Sequence, residues 1–255
     1  MNQKEDYIGV FDSGVGGVSV LRQLRKRMPG EKFYYFGDSA NAPYGSRSTE
    51  EIRALTLAAV EKMLQKPLKA LVVACNTATA VAIEVLRETY PNLIVVGIEP
   101  ALKPAADQFP GGCIGVMATL ATLREEKFSR LLSRYEENHT VYKIPAPGLV
   151  ELIEEGKADS KEAEALLRQL LAPYIGKLDA LVLGCTHYPF AAATLRRCLG
   201  PRVVLMDGGD GTARETMRRL EEAKLLREGV GEIVWHNSLE DEKVLELAQN
   251  LLNLP

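Results

Sequence analysis

Two segments decide the fold of this chain, Leu68-Lys-Ala-Leu-Val-Val-Ala-Cys75-Asn76-Thr77 and Leu178-Asp-Ala-Leu-Val-Leu-Gly-Cys185-Thr186-His187. In both, an apolar run ends in a cysteine, followed by polar residues and a helical pattern, and the cysteines at 75 and 185 lie 110 positions apart. Short apolar runs of this kind are typical of buried strands in a parallel sheet. The match predicts two similar half-molecules, each with a thiol at a strand end. Two such thiols across a cleft could move a proton on or off either face of one carbon atom.

Apolar runs alternate with helical patterns along the whole chain. The clearest predicted helix begins with the capping box Ser48-Thr-Glu-Glu51 and ends before Pro67. Strands are predicted at residues 8–11, 33–36, 70–74, 94–98, 114–117, 140–144, 180–183, 203–206 and 232–235. Strands separated by helices indicate an α/β fold with mostly parallel, doubly wound sheets.

Further repeated segments support an internal duplication. Ile8-Gly-Val-Phe matches Ile114-Gly-Val-Met, and the apolar runs that lead to Glu99 and to Asp207 resemble each other. We therefore expect two similar α/β domains: residues 1–99 plus 208–255, which carry the first cysteine segment, and residues 100–207, which carry the second. The alternative, that any two α/β halves look alike, stays open.

Composition and charge exclude several classes of protein. The chain has 255 residues, of which 46% are hydrophobic and 25% charged, as in ordinary globular proteins. Its net charge of −3 gives no reason to expect nucleic-acid binding. We see no signal-peptide pattern and no apolar run long enough to span a membrane. The four cysteines are expected to be free thiols, which favours a cytoplasmic protein.

The stretch Asp12-Ser13-Gly14-Val15-Gly16-Gly17 follows the first predicted strand. A dinucleotide fingerprint would need glycine at position 19, where the chain has Ser19, and no P-loop lysine follows. What remains is a flexible turn whose backbone N–H groups can approach an anion. Asp12 could bind an ammonium group or assist a proton transfer, or it could simply cap the next helix.

The two cysteine motifs carry the chemistry. Each cysteine is expected near a helix N-terminus, where the dipole and free amides stabilise a thiolate and lower the thiol pKa. Asn76, Thr77 and Thr186 add side-chain donors, and His187 could exchange a proton with Cys185. A single cysteine in such a place is usually a buried small hydrophobe, but two in matched contexts make that interpretation weaker.

Three other segments contribute candidate residues. In the Pro43-Tyr44-Gly45 turn, Tyr44 could be a surface anchor or a lid over a small ligand. Thr119 and Thr122 follow a strand, where they could cap a helix or bind a carboxylate. Glu154, taken alone, is expected to be an acid on a helix surface.

A zinc site with Cys75, Cys185 and His187 as ligands is a further possibility. The chain has no CxxC pair and no second ligand pair at fixed spacing, so no metal site is expected.

Taken together, the motifs resemble the glutamate racemases of the cofactor-independent aspartate/glutamate racemase superfamily. The resemblance runs through nearly the whole chain and rests on Asp12-Ser13-Gly14, Pro43-Tyr44-Gly45, Ala74-Cys75-Asn76-Thr77-Ala78, Glu99-Pro100 and Gly184-Cys185-Thr186-His187-Tyr188-Pro189. It implies two pseudo-symmetric α/β domains with the active site in the cleft between them. It also implies interconversion of L- and D-glutamate without a cofactor, a supply of D-glutamate for peptidoglycan, and a possible homodimer.

The resemblance also implies roles for particular residues. Cys75 and Cys185 would be the acid/base thiols, and Asp12, Glu154 and His187 would assist them. The substrate would be contacted by Asp12, Ser13, Tyr44, Gly45, Asn76, Thr77, Thr186 and His187, to which we add Thr119 and Thr122. Positions that depart from the family pattern are Ala146, Gly208 and Arg124-Glu125, and they leave the fine shape of the pocket open.

The mechanism that we expect is a two-base racemisation. One cysteine removes the α-proton as a thiolate, and the other delivers a proton to the opposite face as a thiol. The alternatives are a racemase for aspartate or a related amino acid, a non-catalytic amino-acid-binding module, and a zinc-dependent hydrolase.

Overall fold

The computed structural model describes residues 3–254 of the chain. Its strands are β1 (Tyr7–Asp12), β2 (Lys32–Gly37), β3 (Leu68–Val73), β4 (Ile94–Gly97), β5 (Cys113–Ala118), β6 (Thr140–Pro145), β7 (Ala180–Leu183), β8 (Val204–Asp207) and β9 (Glu232–Asn237). Its helices are α1 (Val18–Arg27), α2 (Thr49–Met63), α3 (Asn76–Thr89), α4 (Leu102–Gln108), α5 (Leu120–Arg124), α6 (Glu126–Glu136), α7 (Leu149–Glu154), α8 (Lys161–Leu171), α9 (Ala192–Leu199), α10 (Gly209–Glu222) and α11 (Glu242–Leu252). Among the helices of residues 3–254, none is long and apolar enough to cross a membrane.

The strands form two parallel sheets with the same topology. Sheet A has the order β4-β3-β1-β2-β9, and sheet B has the order β6-β5-β7-β8. Reversed, sheet B reads β8-β7-β5-β6, which repeats the order β4-β3-β1-β2 strand for strand. The predicted α/β fold with two similar parallel sheets is confirmed, and β9 is an addition to the repeat. Sheet A with the helices packed on it is called the A half, and sheet B with its helices the B half.

The strand register places the two cysteines at equivalent points. Val10 of β1 lies opposite Val72 of β3, and Val116 of β5 lies opposite Val182 of β7. Three residues after Val72 comes Cys75, and three residues after Val182 comes Cys185. Cys75 therefore follows β3, the neighbour of β1, and Cys185 follows β7, the neighbour of β5. Both cysteines lie at the carboxyl edge, where ligands bind in open α/β sheets.

Helices pack against the sheets, and β1, β3 and β5 are buried at every residue after the first. One hydrophobic cluster includes Val10 and Leu21 of the A half together with Met117 and Leu181 of the B half. Each such side chain contributes roughly 1.5–3 kcal/mol on full burial. This shared core holds the two sheets in a fixed relation, which brings their carboxyl edges together.

The predicted start of α2 is confirmed at the level of individual hydrogen bonds. The N–H of Glu51 donates to Ser48 Oγ at 3.3 Å, and the N–H of Ser48 donates to Glu51 Oε2 at 2.9 Å. This capping box satisfies two donors that the helix itself leaves unpaired. The helix ends at Met63, before Pro67.

The segment after Asp207 returns to sheet A. Helix α10 packs against α1, and β9 pairs with β2. A buried ion pair fixes the return, because Lys69 Nζ lies 2.6 Å from Glu31 Oε2 and also donates to Leu225 O at 3.0 Å. The backbone N–H of Arg227 donates to Glu31 Oε1 at 2.8 Å. These contacts support the predicted membership of the C-terminal segment, while the exact domain boundaries stay a prediction.

Candidate active site

A cavity lies between the carboxyl edges of the two sheets, and both Cys75 and Cys185 line it. Water molecules can place their centres within about 90 Å³ of this cavity. That space is room for several waters or for one small amino acid. The other predicted residues on its wall are Ser13, Tyr44, Gly45, Asn76, Thr77, Thr119, Thr186 and His187. The halves thus bring together residues far apart in the sequence.

Cys75 is the N-cap residue of α3. Its Sγ accepts the N–H of Ala78 at 3.5 Å and lies 3.4 Å from Ser13 Oγ. Burial, together with the nearby Asp12 carboxylate, raises the pKa of this thiol to about 12. The expectation that the helix N-terminus lowers its pKa is therefore wrong for Cys75. Two weak hydrogen bonds do not offset desolvation and a neighbouring negative charge.

Cys185 has a different environment. A short 3-10 turn, Tyr188–Ala191, follows it before α9 begins. The expected helix N-terminus therefore does not lie at this cysteine. Instead, Cys185 Sγ lies 3.7 Å from Nδ1 of His187.

His187 lines the cavity, and the partly buried Glu154 contacts it from behind the cavity wall. His187 Nε2 lies 2.6 Å from Glu154 Oε1. Burial alone would lower the pKa of His187, but hydrogen bonds with Cys185 and Glu154 raise it well above its usual value. Burial alone would raise the pKa of Glu154, but the hydrogen bond and charge of His187 bring it below its usual value. Each partner therefore favours the charged form of the other, an imidazolium beside a carboxylate.

Asp12 also lies behind the wall. Its Oδ1 accepts the N–H of Gly14 at 2.8 Å, and its Oδ2 accepts the hydroxyl of Thr186 at 2.9 Å. Burial raises the pKa of Asp12, although the charge of His187 opposes the rise. The interpretation of Asp12 as a helix cap is wrong, since the N-cap of α1 is Gly17.

The glycine-rich turn after β1 packs directly against the B half. A Cβ atom on Gly14 would lie 2.0 Å from Glu154 Oε1, and one on Gly16 would lie 2.3 Å from His187 Nδ1. Only glycine permits so close an approach. The anion that the turn binds is the protein's own carboxylate, because the N–H of Val15 donates to Glu154 Oε1 at 2.9 Å.

Three threonine hydroxyls meet at another part of the cavity. Thr77 Oγ1 lies 3.1 Å from that of Thr119 and 3.0 Å from that of Thr122, and the last two lie 2.9 Å apart. Thr119 also caps α5 by accepting the N–H of Thr122. The cluster joins the halves, since Thr77 lies in the first turn of α3, whereas Thr119 caps α5 and Thr122 lies within it.

Asn76 is unusual among the buried polar residues. The residue is among those that line the cavity, and it is 5% exposed. Within residues 3–254, neither its Nδ2 nor its Oδ1 has a hydrogen-bond partner. Because a buried amide without partners costs free energy, this side chain is a candidate for binding a ligand.

Comparison with known proteins identifies the family of this chain. The model of the Asp/Glu/Hydantoin racemase family matches residues 8–216. The chain belongs to this family. As a racemase of this family, the protein is an isomerase, and its relatives place it with the glutamate racemases.

Similar full-length proteins include glutamate racemases from two Clostridium species. The Clostridium perfringens (strain SM101) enzyme is 47% identical over 97% of this chain and 96% of its own. The Clostridium acetobutylicum enzyme is 48% identical over the full length of both chains. Among solved structures, glutamate racemase isoform RacE1 from Bacillus anthracis has a TM-score of 0.89 and 31% identity, covering 98% of this chain and 95% of its own. The Escherichia coli glutamate racemase, solved with L-glutamate and the activator UDP-MurNAc-Ala, has a TM-score of 0.85 and 30% identity, covering 96% of this chain and 95% of its own.

Three residues predicted for the site of this racemase lie outside the cavity wall. Asp12, Glu154 and Thr122 do not line the cavity. Each instead bonds to a residue that does, namely Thr186, His187 and Thr77. These three form a second layer behind the cavity wall.

Sequence reasoning missed several residues around the cavity. Wall residues that were not predicted include Ser46, Leu120, Pro147, Gly148, Val150 and Glu151. Behind the wall, the hydroxyl of Tyr44 donates to the buried carboxylate of Asp38 at 2.6 Å. The hydroxyl of Tyr44 therefore already has a partner in the protein. Spacing along α7 could have indicated a buried face for Val150, but nothing local indicates the partner of Asp38.

The departures from the family pattern lie at different distances from the cavity. Ala146 lines it, so this position shapes the pocket directly. A Cβ on Gly208 would lie 2.1 Å from Glu99 O, which explains why glycine is accommodated there in this chain. Glu125 accepts the hydroxyl of Thr49 at 2.7 Å and does not line the cavity.

The three candidate zinc ligands share the cavity wall. Among the described residues, no three His, Cys, Asp or Glu side chains are grouped so that they could hold a metal ion. Cys75, Cys185 and His187 thus line one cavity without forming such a group.

Proposed function

We propose that this chain interconverts L- and D-glutamate by passing the α-proton between Cys75 and Cys185. One observation carries the proposal: the two thiols end equivalent strands of two matching sheets and line one small cavity. A carbon held between them is accessible to a thiol on each side. This is the arrangement that inversion at one carbon requires, because the proton leaves one face and arrives at the other.

The two thiols have different neighbours. The raised pKa of Cys75 keeps it a thiol near neutral pH, ready to deliver a proton. Cys185 has the protonated ring of His187 as its neighbour, at 3.7 Å, and that ring can return a proton to the thiolate or stabilise its charge. We propose that Asp12 and Glu154 act behind the thiols, by holding Thr186 and His187 in place.

The cavity wall offers neutral donors to the carboxylates of the substrate. Among the described residues that line it there is no lysine or arginine. Hydroxyls are supplied by Ser13, Thr77, Thr119 and Thr186, and Asn76 supplies an amide that has no partner within residues 3–254. Donors fixed in a water-poor site stabilise the charge that develops when the α-proton leaves.

The direct test is racemisation of each glutamate enantiomer by the purified chain, followed by circular dichroism without added cofactor and with a chelator present. The proposal expects both enantiomers to approach the same racemic mixture. Turnover of aspartate in preference to glutamate would favour the alternative substrate. Binding of glutamate without loss of optical activity would favour a non-catalytic binding module, and inactivation by the chelator would favour a zinc enzyme.

The wider context is also part of the proposal. We propose residues 1–99 plus 208–255 and residues 100–207 as the two domains, which agrees with the strands that each sheet contains. The D-glutamate would supply peptidoglycan synthesis in the cytoplasm. A homodimer would be detected by light scattering of the purified protein.

A further inference from the structure

Ser19 joins the two halves from behind the cavity. It lies in the first turn of α1, is buried, and does not line the cavity. Its hydroxyl lies 2.8 Å from the carbonyl oxygen of Thr186 and 2.9 Å from that of Gly16. The shorter contact connects a helix of the A half to the segment that carries Cys185.

The backbone around Thr186 explains why this hydroxyl matters. In a 3-10 turn, a carbonyl is bonded by the N–H three residues later, which here belongs to Pro189, and proline has no N–H. The N–H of Phe190 donates to His187 O at 3.0 Å. The Ser19 hydroxyl therefore takes the place of the missing backbone donor, as a buried carbonyl requires.

The position of the Thr186 carbonyl also affects how His187 approaches Cys185. The carbonyl of Thr186 and the nitrogen of His187 belong to one planar peptide unit. Fixing that carbonyl fixes the direction in which His187 leaves the backbone, and so its approach to Cys185. The side chain of Thr186 is held separately, by its bond to Asp12.

We infer that Ser19 is a positioning residue for His187 and that it acts on the half of the reaction that uses Cys185. The inference rests on the proposed two-thiol function. Among residues 3–254, no hydrogen bond connects Ser19 to Cys75, whose Sγ is held by Ser13 and by the N–H of Ala78. Loss of the Ser19 hydroxyl should therefore slow the proton transfer at Cys185 more than the proton transfer at Cys75.

The experiment compares Ser19→Ala, Ser19→Thr and a control, Thr216→Val. The control removes a different buried hydroxyl, which donates to Thr212 O at 2.8 Å in α10. The Cys75→Ser variant first identifies the enantiomer whose α-proton Cys185 exchanges. With Ser19→Ala, kcat should fall about tenfold at unchanged KM, since small misplacements of catalytic groups have large kinetic effects. The primary deuterium isotope effect should rise for the Cys185 enantiomer and fall for the other.

Two further variants separate positioning from simple loss of structure. Ser19→Thr keeps the hydroxyl and should keep the isotope effects of the wild type. Adding Pro189→Ala to Ser19→Ala restores a backbone N–H three residues after Thr186 and should recover part of kcat. Isotope effects that change equally for both enantiomers, or the same asymmetry in Thr216→Val, would overturn the inference. A wild-type chain that does not racemise glutamate would instead overturn the proposed function, and the inference with it.

Discussion

The imidazole of His187 and the carboxylate of Glu154 meet at 2.6 Å, and the same carboxylate oxygen accepts the N–H of Val15 at 2.9 Å. Glu154 and His187 belong to the B half, whereas Val15 belongs to the A half. One oxygen atom therefore connects the histidine beside Cys185 to the glycine-rich turn of the opposite half. The charge state of His187 depends on this contact between the halves.

Replacing Glu154 should change the pH dependence of the reaction. The carboxylate helps to hold the pKa of His187 well above its usual value, so Glu154→Gln should lower that pKa. An activity that needs the protonated ring is lost as pH rises through this pKa. The alkaline limb of kcat/KM should therefore move to lower pH in Glu154→Gln. Glu155→Gln is the control, because Glu155 is exposed and pairs with Lys157. If the alkaline limb does not move in Glu154→Gln, the prediction is contradicted.

The same pair should give stability over a defined pH window. The pKa of His187 is raised on folding, so its contribution is lost as pH rises through the folded value. The pKa of Glu154 is lowered, so its contribution is lost as pH falls through the folded value. The difference in free energy of unfolding between wild type and Glu154→Gln should thus be largest between these two values, at roughly 3–5 kcal/mol. Urea unfolding at a series of pH values measures it, and a difference that is constant with pH would disprove the linkage.

The two thiols should be separable by single substitutions. Cys75→Ser and Cys185→Ser should each lower racemisation by about 10²–10⁴-fold, the usual contribution of a positioned acid or base. In D₂O each variant should still exchange the α-proton of one enantiomer, and the two variants should prefer opposite enantiomers. Proton NMR of the substrate follows this exchange. Cys198→Ser is the matched control, since Cys198 is a buried free thiol that does not line the cavity. Normal racemisation by Cys75→Ser or by Cys185→Ser would refute the two-base mechanism.

Asn76 should contribute to binding and not to stability. Both polar atoms of its side chain lack partners among the described residues, so Asn76→Ala removes none of the hydrogen bonds seen there. The substitution should leave the free energy of unfolding unchanged or raise it by about 1 kcal/mol. The KM for glutamate should rise by about tenfold, the equivalent of one hydrogen bond to a charged group.

The control for Asn76 is Asn237, which is equally buried. Its amide donates to Ser39 Oγ at 2.9 Å, and its carbonyl oxygen accepts the N–H of Leu239 at 3.0 Å. Asn237→Ala should lower stability and leave KM unchanged. Steady-state kinetics and chemical denaturation of both variants measure these effects. If Asn76 had only a structural role, Asn76→Ala would lower stability and leave KM unchanged.

The sequence predicted the strands and the place of the thiols because both depend on local patterns. Apolar runs and their register identify β3 and β7, and the cysteines follow at the carboxyl ends. The partner of Glu154 could not be predicted in this way. Its contacts with Val15 and His187 exist only because the two sheets pack in one particular orientation, which no local pattern encodes.

The pKa of Cys75 was also beyond local reasoning, and for a different reason. A cysteine that caps a helix is expected to have a lowered pKa, and Cys75 does cap α3. The burial of the thiol and its distance from Asp12 depend on tertiary packing. These two effects outweigh the helix terminus, so the direction of the shift is reversed.

The raised pKa of Cys75 should be visible in its reactivity. Only the thiolate reacts with iodoacetamide, so a thiol with a pKa of about 12 should react at a rate that still rises steadily between pH 8 and 10. In the chain unfolded by urea, the rate should level off near the ordinary thiol pKa of about 8.5. Asp12→Asn should speed the reaction of the folded protein, because it removes a negative charge and keeps the thiol buried. Mass spectrometry of the peptide that contains Cys75 gives the rate, and a plateau near pH 8.5 in the folded wild type would show that burial and Asp12 do not hold the proton on this thiol.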